Sequence, residues 1–190
     1  MGSLNGIRVL DLSRVLGAPL CTQILADHGA EVIKVESPQG DETRSWGPPF
    51  REDGLSAYFI GANRGKSCVT IDLTHVEGQK LLAQLLEKTD VLVENFKPGT
   101  LGKWGFSDED LQKKFPRLIH CQLTGFSDHG PLGGLAGYDA ALQAWTGMMS
   151  LNGTQESGPL RMALPLVDLS SGLYAAIGVM LALFEREKSG

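Results

Sequence analysis

An α/β fold, built on a mostly parallel sheet covered by helices, is the class this sequence predicts. Three observations point to it. Short β-branched apolar runs alternate with segments of helical periodicity. The helical segments carry start and stop signals such as Ser107 and Gly29. The last of them is apolar on nearly every face from Leu173 to Phe184, and should therefore be buried between layers.

The strand candidates are Ile7–Leu12, Glu31–Glu36, Cys68–Leu73, Val91–Phe96 and Leu118–Thr124. Between the first two, Pro19–His28 is helical by its apolar positions and is stopped by Gly29. After the third, Thr74 and Glu77 have the capping-box spacing, a hydroxyl with a carboxylate three residues later. Leu81, Leu82, Leu85 and Leu86 then form one apolar stripe. Ser107 opens another short helix that ends before Pro116, and helices over Asp139–Leu151 and Leu169–Lys188 complete the series. Two connections rich in Pro and Gly interrupt the alternation, Ser37–Ala62 and Gly125–Gly137. Connections as long as the first are usually functional or disordered.

The 190 residues suffice for one domain with a sizeable core. With 42% hydrophobic and 21% charged residues the composition is that of a soluble globular protein. A net charge of -5 argues against a nucleic-acid surface, which would need a basic field. Cys21, Cys68 and Cys121 form no C-x-x-C pair, so they read as structural thiols in a reducing compartment, and no metal site is expected. No signal peptide opens the chain, Gly6 stands where myristoylation wants Ser or Thr, and the uncharged stretches are shorter than the roughly 20 residues of a membrane span. A cytoplasmic protein without membrane attachment is the expectation.

Several chemical signatures are missing. The first strand is followed by one glycine and a proline, Gly17 and Pro19, instead of a dinucleotide-binding G-x-G-x-x-G. No Walker A loop, G-x-S-x-G elbow or H-E-x-x-H is present. His28, His75, His120 and His129 are isolated and read as structural or solvated. Asp168 is the only charged residue between Arg161 and Glu185. It suits a helix N-cap, and a partly desolvated carboxylate there is also a more reactive anion, so both roles stay open. Lys97 and Lys103 flank a Pro-Gly-Thr turn after a strand, where cations meet phosphates in α/β sheets or lie solvated in a loop. Trp145, Met148 and Met149 read as core, and Arg44 as a loop ion pair.

The segments Gly29-Ala30-Glu31-Val32-Ile33-Lys34-Val35-Glu36, Asn63-Arg64-Gly65-Lys66, Val93-Glu94-Asn95-Phe96-Lys97-Pro98-Gly99, Gly137-Tyr138-Asp139 and Asp168-Leu169-x-x-Gly172-Leu173-Tyr174 together resemble the family III (CaiB/BaiF-type) coenzyme A transferases. The matches run in order through nearly the whole chain. The resemblance implies a Rossmann-like large domain with helices on both faces, of which residues 1–190 would be the amino-terminal part. The small domain and carboxyl-terminal return of relatives would be absent from this chain. It implies an interlocked homodimer, an acyl-CoA and a small carboxylic acid as substrates, and no tightly bound cofactor. Asp168 would be the nucleophile, passing through an aspartyl-CoA thioester. Leu16, Ile71, Leu73, Asn95, Phe96, Lys97, Lys103, Gly137, Tyr138 and Asp139 would form the CoA site, with Lys103 where relatives often carry Arg. The same fold serves α-methylacyl-CoA racemases, which have His where this chain has Tyr138. A phenol titrating near ~10 suits a general base poorly, which favours the transferase. A non-catalytic CoA-binding chain is the third reading.

Overall fold

The computed structural model describes residues 2–127 and 129–189. Five parallel strands form one sheet: β1 (Arg8–Asp11), β2 (Glu31–Glu36), β3 (Lys66–Thr70), β4 (Val91–Glu94) and β5 (Ile119–Gln122), in the order β3-β2-β1-β4-β5. The chain thus winds outward from β1 through β2 to β3, then returns to the other side of β1 and winds outward again. Strand order reverses between β1 and β4, where such sheets open a crevice beyond their carboxyl ends.

Strand side chains alternate between two cores. Val9, Val32, Val91 and Val93 face helices α1 (Gly17–Asp27) and α8 (Leu166–Ser189), meeting Ala18, Cys21, Leu25, Ala176 and Val179. Leu10, Leu12 and Leu92 face the other way, toward Leu82 and Leu86 of α3 (Val76–Leu86), Leu101 of α4 (Thr100–Lys103) and Leu111 of α5 (Asp108–Lys114). Ser107 caps α5 in a reciprocal capping box with Asp110, as its sequence position predicts.

Some elements differ from the sequence expectations. The third strand ends at Thr70 because Asp72 turns the chain: its Oδ1 accepts from the Thr74 amide at 2.9 Å and from the Thr74 hydroxyl at 2.6 Å. That bond takes the hydroxyl expected to cap α3, whose N-cap is His75 without a side-chain bond. The 37–62 connection holds a 3₁₀ turn at Glu42–Ser45 and the start of α2 (Ala57–Asn63), which Ser56 caps. The helix expected over 139–151 is two, α6 (Asp139–Trp145) and α7 (Met148–Asn152), split at Gly147, whose φ is +79°.

Helix α8 begins at Leu166, so Asp168 lies inside its first turn instead of preceding it. Nor is α8 buried on all sides. Gly172, Ala176, Val179 and Leu183 form its buried face, while Leu173, Tyr174, Ile177, Leu181 and Phe184 are exposed. By length and composition alone this helix is apolar enough to cross a membrane, yet its small-residue face is spent on α1. A Cβ on Gly172 would stand 2.5 Å from the Gly17 carbonyl oxygen, and one on Gly17 would stand 3.2 Å from the Asp168 carbonyl oxygen. Two glycines thus let the amino-terminal ends of α1 and α8 approach backbone to backbone beside the crevice.

Candidate active site

The crevice between β1 and β4 holds a cavity of about 210 Å³. Its floor is the β1–α1 loop and the start of α1, Arg14 to Ala18; one wall is Asn95–Pro98 after β4, and the other is Gly137, Tyr138, Val167 and Asp168. Residue Val15 in that floor has φ of +71°, a conformation that costs a β-branched residue on the order of 1–3 kcal/mol. The β4 loop holds the floor in place. Asn95 Oδ1 accepts from the Arg14 amide at 2.9 Å, and Asn95 Nδ2 donates to the Arg14 carbonyl at 2.8 Å. Fully buried Glu94 fixes Phe96, its Oε2 accepting from the Phe96 amide at 2.6 Å.

Asp168 reaches this cavity half-buried. Burial, reinforced by the charge of Asp139 and opposed by Arg161, raises its pKa to about 6. At neutral pH it is an anion with less solvent stabilisation than a surface aspartate, hence a better nucleophile or base. Tyr58 of α2 is close enough that burial and the charge of Asp168 raise its phenol above the ordinary range. The turn of α8 that carries Asp168 is held from α6. Asp139 Oδ1 accepts from the amides of Val167 at 2.8 Å and Asp168 at 3.2 Å. Gln143, fully buried, donates to Asp139 Oδ2 at 2.6 Å and accepts from the Met162 amide at 2.9 Å.

A second cavity of about 250 Å³ shares Arg14 and Phe96 with the first. It runs between Ile71 and Leu73 on one side and Phe96 and Trp104 on the other, closed by the 36–41 segment. The Phe96 and Trp104 rings meet edge to face, 5.6 Å between centroids. Each cavity is below the roughly 300 Å³ usual for a drug-sized ligand, and an extended molecule would need both.

A buried ion cluster, not recognised from sequence, sets the carboxyl ends of β1 and β2. Lys66 Nζ donates to Asp11 Oδ2 at 2.9 Å, to the Pro19 carbonyl at 2.8 Å and to Asn63 Oδ1 at 2.9 Å. Lys34 Nζ donates to the Ser13 carbonyl at 2.6 Å and pairs with Asp41 Oδ2 at 3.1 Å. Although burial opposes it, Lys66 and Lys34 hold Asp11 below the ordinary carboxylate range. The signal was present as charged residues inside or next to apolar strand runs, where charges survive only when paired.

The geometry gathers most of the candidate residues. Leu16, Asn95, Phe96, Lys97, Gly137, Tyr138 and Asp168 line the first cavity; Ile71, Leu73 and again Phe96 line the second. Lys103 lies exposed on α4 and borders neither. Asp139 is buried behind Asp168, its carboxylate engaged by α8 and Gln143 rather than facing the cavity. Arg44 makes the expected loop ion pair, donating from Nε and Nη2 to Glu36 at 2.8 and 2.6 Å. Trp145, expected in the core, is exposed, and Met148 and Met149 are only partly buried, because Gly147 turns α7 away. Cys21 is buried, Cys121 half-buried and Cys68 exposed.

The sequence profile of CoA-transferase family III matches residues 4–190. The succinyl-CoA:glutarate CoA-transferase of Mus musculus is 42% identical over 191 residues, covering 100% of this chain and 44% of the relative. The succinate–glutarate CoA-transferase of Agrobacterium fabrum is 43% identical, covering 98% of this chain and 48% of the relative. The crystal structure of a CaiB/BaiF family protein from Brucella suis superimposes with a TM-score of 0.95 at 43% identity, covering 100% of this chain and 51% of that one. The chain therefore spans about half the length of the curated relatives it matches. With a sequence match from end to end and a matching fold, the chain belongs to CoA-transferase family III.

Proposed function

We propose that this chain supplies the CoA-binding and nucleophile-bearing part of a CoA transferase that moves CoA from an acyl-CoA to a carboxylic acid. The observation that carries the reading is the meeting of Asp168 with the Asn95–Pro98 loop in one cavity at the strand-order reversal. CoA is placed along the two cavities, its adenine end between Ile71, Leu73 and Phe96 and its thioester toward Asp168. Lys97 supplies a cation at the cavity wall.

The Asp168 carboxylate attacks the thioester carbonyl; the C–S bond breaks and CoA leaves as a thiolate, giving an acyl-aspartyl anhydride. The thiolate attacks the Asp168 carbonyl, releasing the donor carboxylate and leaving an aspartyl-CoA thioester. The acceptor carboxylate repeats the sequence in reverse, regenerating Asp168 and a new acyl-CoA. Similarity to the two glutarate transferases favours dicarboxylic acids as donor and acceptor. An interlocked homodimer in the cytoplasm completes the proposal; the exposed Leu173, Ile177, Leu181 and Phe184 of α8 provide apolar surface for an assembly to cover.

Incubation with succinyl-CoA and hydroxylamine should leave a hydroxamate on Asp168, and transfer that survives Asp168→Ala without any such product would refute the reading. Because a carboxylate with a pKa about 6 also suits proton transfer, racemisation is the second reading. It requires solvent deuterium to enter the α-carbon of a 2-methylacyl-CoA with no acceptor acid present, and it fails if none enters.

A further inference from the structure

The amides of Val167 and Asp168 belong to the first turn of α8, where helix donors have no intrahelical partner. A hydroxyl or neutral amide would satisfy such donors as well as a carboxylate does. Asp139 instead brings a second acid beside Asp168, in a position that is 5% exposed. Its other oxygen is held by Gln143, so the carboxylate cannot swing away without breaking a 2.6 Å bond. Arg161 Nη2, at 3.8 Å from Asp139 Oδ2, balances this charge only from a half-exposed position. Among the described residues, the other charged or titratable groups around Asp168 are Tyr58 from α2 and Arg14, Glu42, Lys97 and Tyr138 along the cavity.

Two neighbouring carboxylates repel one another, and the repulsion ends when one of them is esterified. In the proposed reaction, attack by Asp168 forms a C–O bond to the acyl carbon and expels thiolate, so the negative charge moves from Asp168 to the CoA sulfur. Return of the thiolate expels the donor acid as a carboxylate and leaves Asp168 as a neutral thioester. We propose that Asp139 is a positioning residue for this transfer: its carboxylate fixes the first turn of α8 and, as a neighbouring charge, favours the neutral acylated form of Asp168 over the free anion. The role rests on the reading of Asp168 as nucleophile. It also predicts a quantitative coupling. Whatever raises the cost of ionising Asp168 raises the ratio of adduct to free enzyme, by tenfold for each unit of pKa.

The test compares Asp139→Asn and Arg161→Gln with the wild-type protein in two measurements. The first is a ¹³C NMR titration of the Asp168 carboxyl, assigned by its loss in Asp168→Asn. The second is the fraction of protein carrying an Asp168–CoA thioester after incubation with succinyl-CoA, read by intact mass. Asp139→Asn should move the titration from about 6 toward the ordinary aspartate value and lower the adduct ratio in step. Arg161→Gln should move both upward, and Asp139→Ser, which keeps an acceptor for the two amides without the charge, carries the test if Asp139→Asn does not fold. Unchanged titration and adduct ratio in the folded variants would overturn the role of Asp139 while leaving the nucleophile in place. No adduct in the wild-type protein would overturn the nucleophile reading and this role with it.

Discussion

Asn95 holds both backbone groups of Arg14, accepting from its amide at 2.9 Å and donating to its carbonyl at 2.8 Å. One side chain after β4 thereby fixes the loop after β1, across the point where strand order reverses. Asn95→Ala removes both bonds and frees the loop that carries the strained Val15. The expected loss is about 1–2 kcal/mol of stability. A fall of roughly tenfold in CoA affinity by calorimetry should accompany it.

Gly172 and Gly17 set the distance between α1 and α8. Gly172→Ala would place a methyl 2.5 Å from the Gly17 carbonyl oxygen and 3.2 Å from the Leu20 Cβ. The helices must separate, at a cost of about 1–3 kcal/mol. Thermal unfolding should show this as a lower Tm, whereas alanine at Gly61, where an added Cβ meets nothing within 4 Å, should not introduce such a clash.

Lys66→Ala leaves the fully buried Asp11 without its Lys66 partner. Breaking a buried pair in this way costs about 3–5 kcal/mol, measurable by urea denaturation at neutral pH. The wild-type contribution has a defined pH dependence. Asp11 is held below its unfolded value, so its stabilisation is present above about pH 4 and is lost as pH falls through the depressed native pKa. The variant should therefore lose less stability than wild type on acidification.

Asp168 behaves in the opposite sense. Its native pKa of about 6 lies above the unfolded value, so the native state holds the proton more tightly and loses relative stability as pH rises from about 4 through 6. Asp168→Asn removes that cost. With allowance for solvent screening of a half-buried group, the gain is on the order of 1 kcal/mol, or about 2–4 °C in Tm above pH 7. Melting curves should show the gain at pH 7.5 and its disappearance near pH 4.

The alternation of strands and helices was readable because strands such as Glu31–Glu36 and stripes such as Leu82 and Leu86 obey local periodicity. Pairings that depend on distant residues were not. Thr74 has the spacing of a helix cap, but Asp72 takes its hydroxyl. Asp168 has the position of a cap, but the cap comes from Asp139, nearly thirty residues earlier in the chain. The charges at Asp11, Lys34, Asp41 and Lys66 gave no periodic signal, since only the fold shows that Lys66 pairs with Asp11 and Lys34 with Asp41. The candidate site was legible because Asn95, Phe96, Lys97, Tyr138 and Asp168 belong to contiguous motifs, while Val15, whose backbone shapes the same cavity, carries no distinguishing local pattern.

The claim on which the account rests is that Asp168 becomes covalently acylated during transfer. Turnover with a dicarboxylic acceptor labelled with ¹⁸O in its carboxylates addresses it most directly, because the anhydride step leaves one acceptor oxygen on the aspartate. Mass spectrometry of the tryptic peptide 162–186 should find ¹⁸O in the Asp168 carboxyl after multiple turnovers, and CoA transfer that proceeds with this peptide unlabelled would contradict the account.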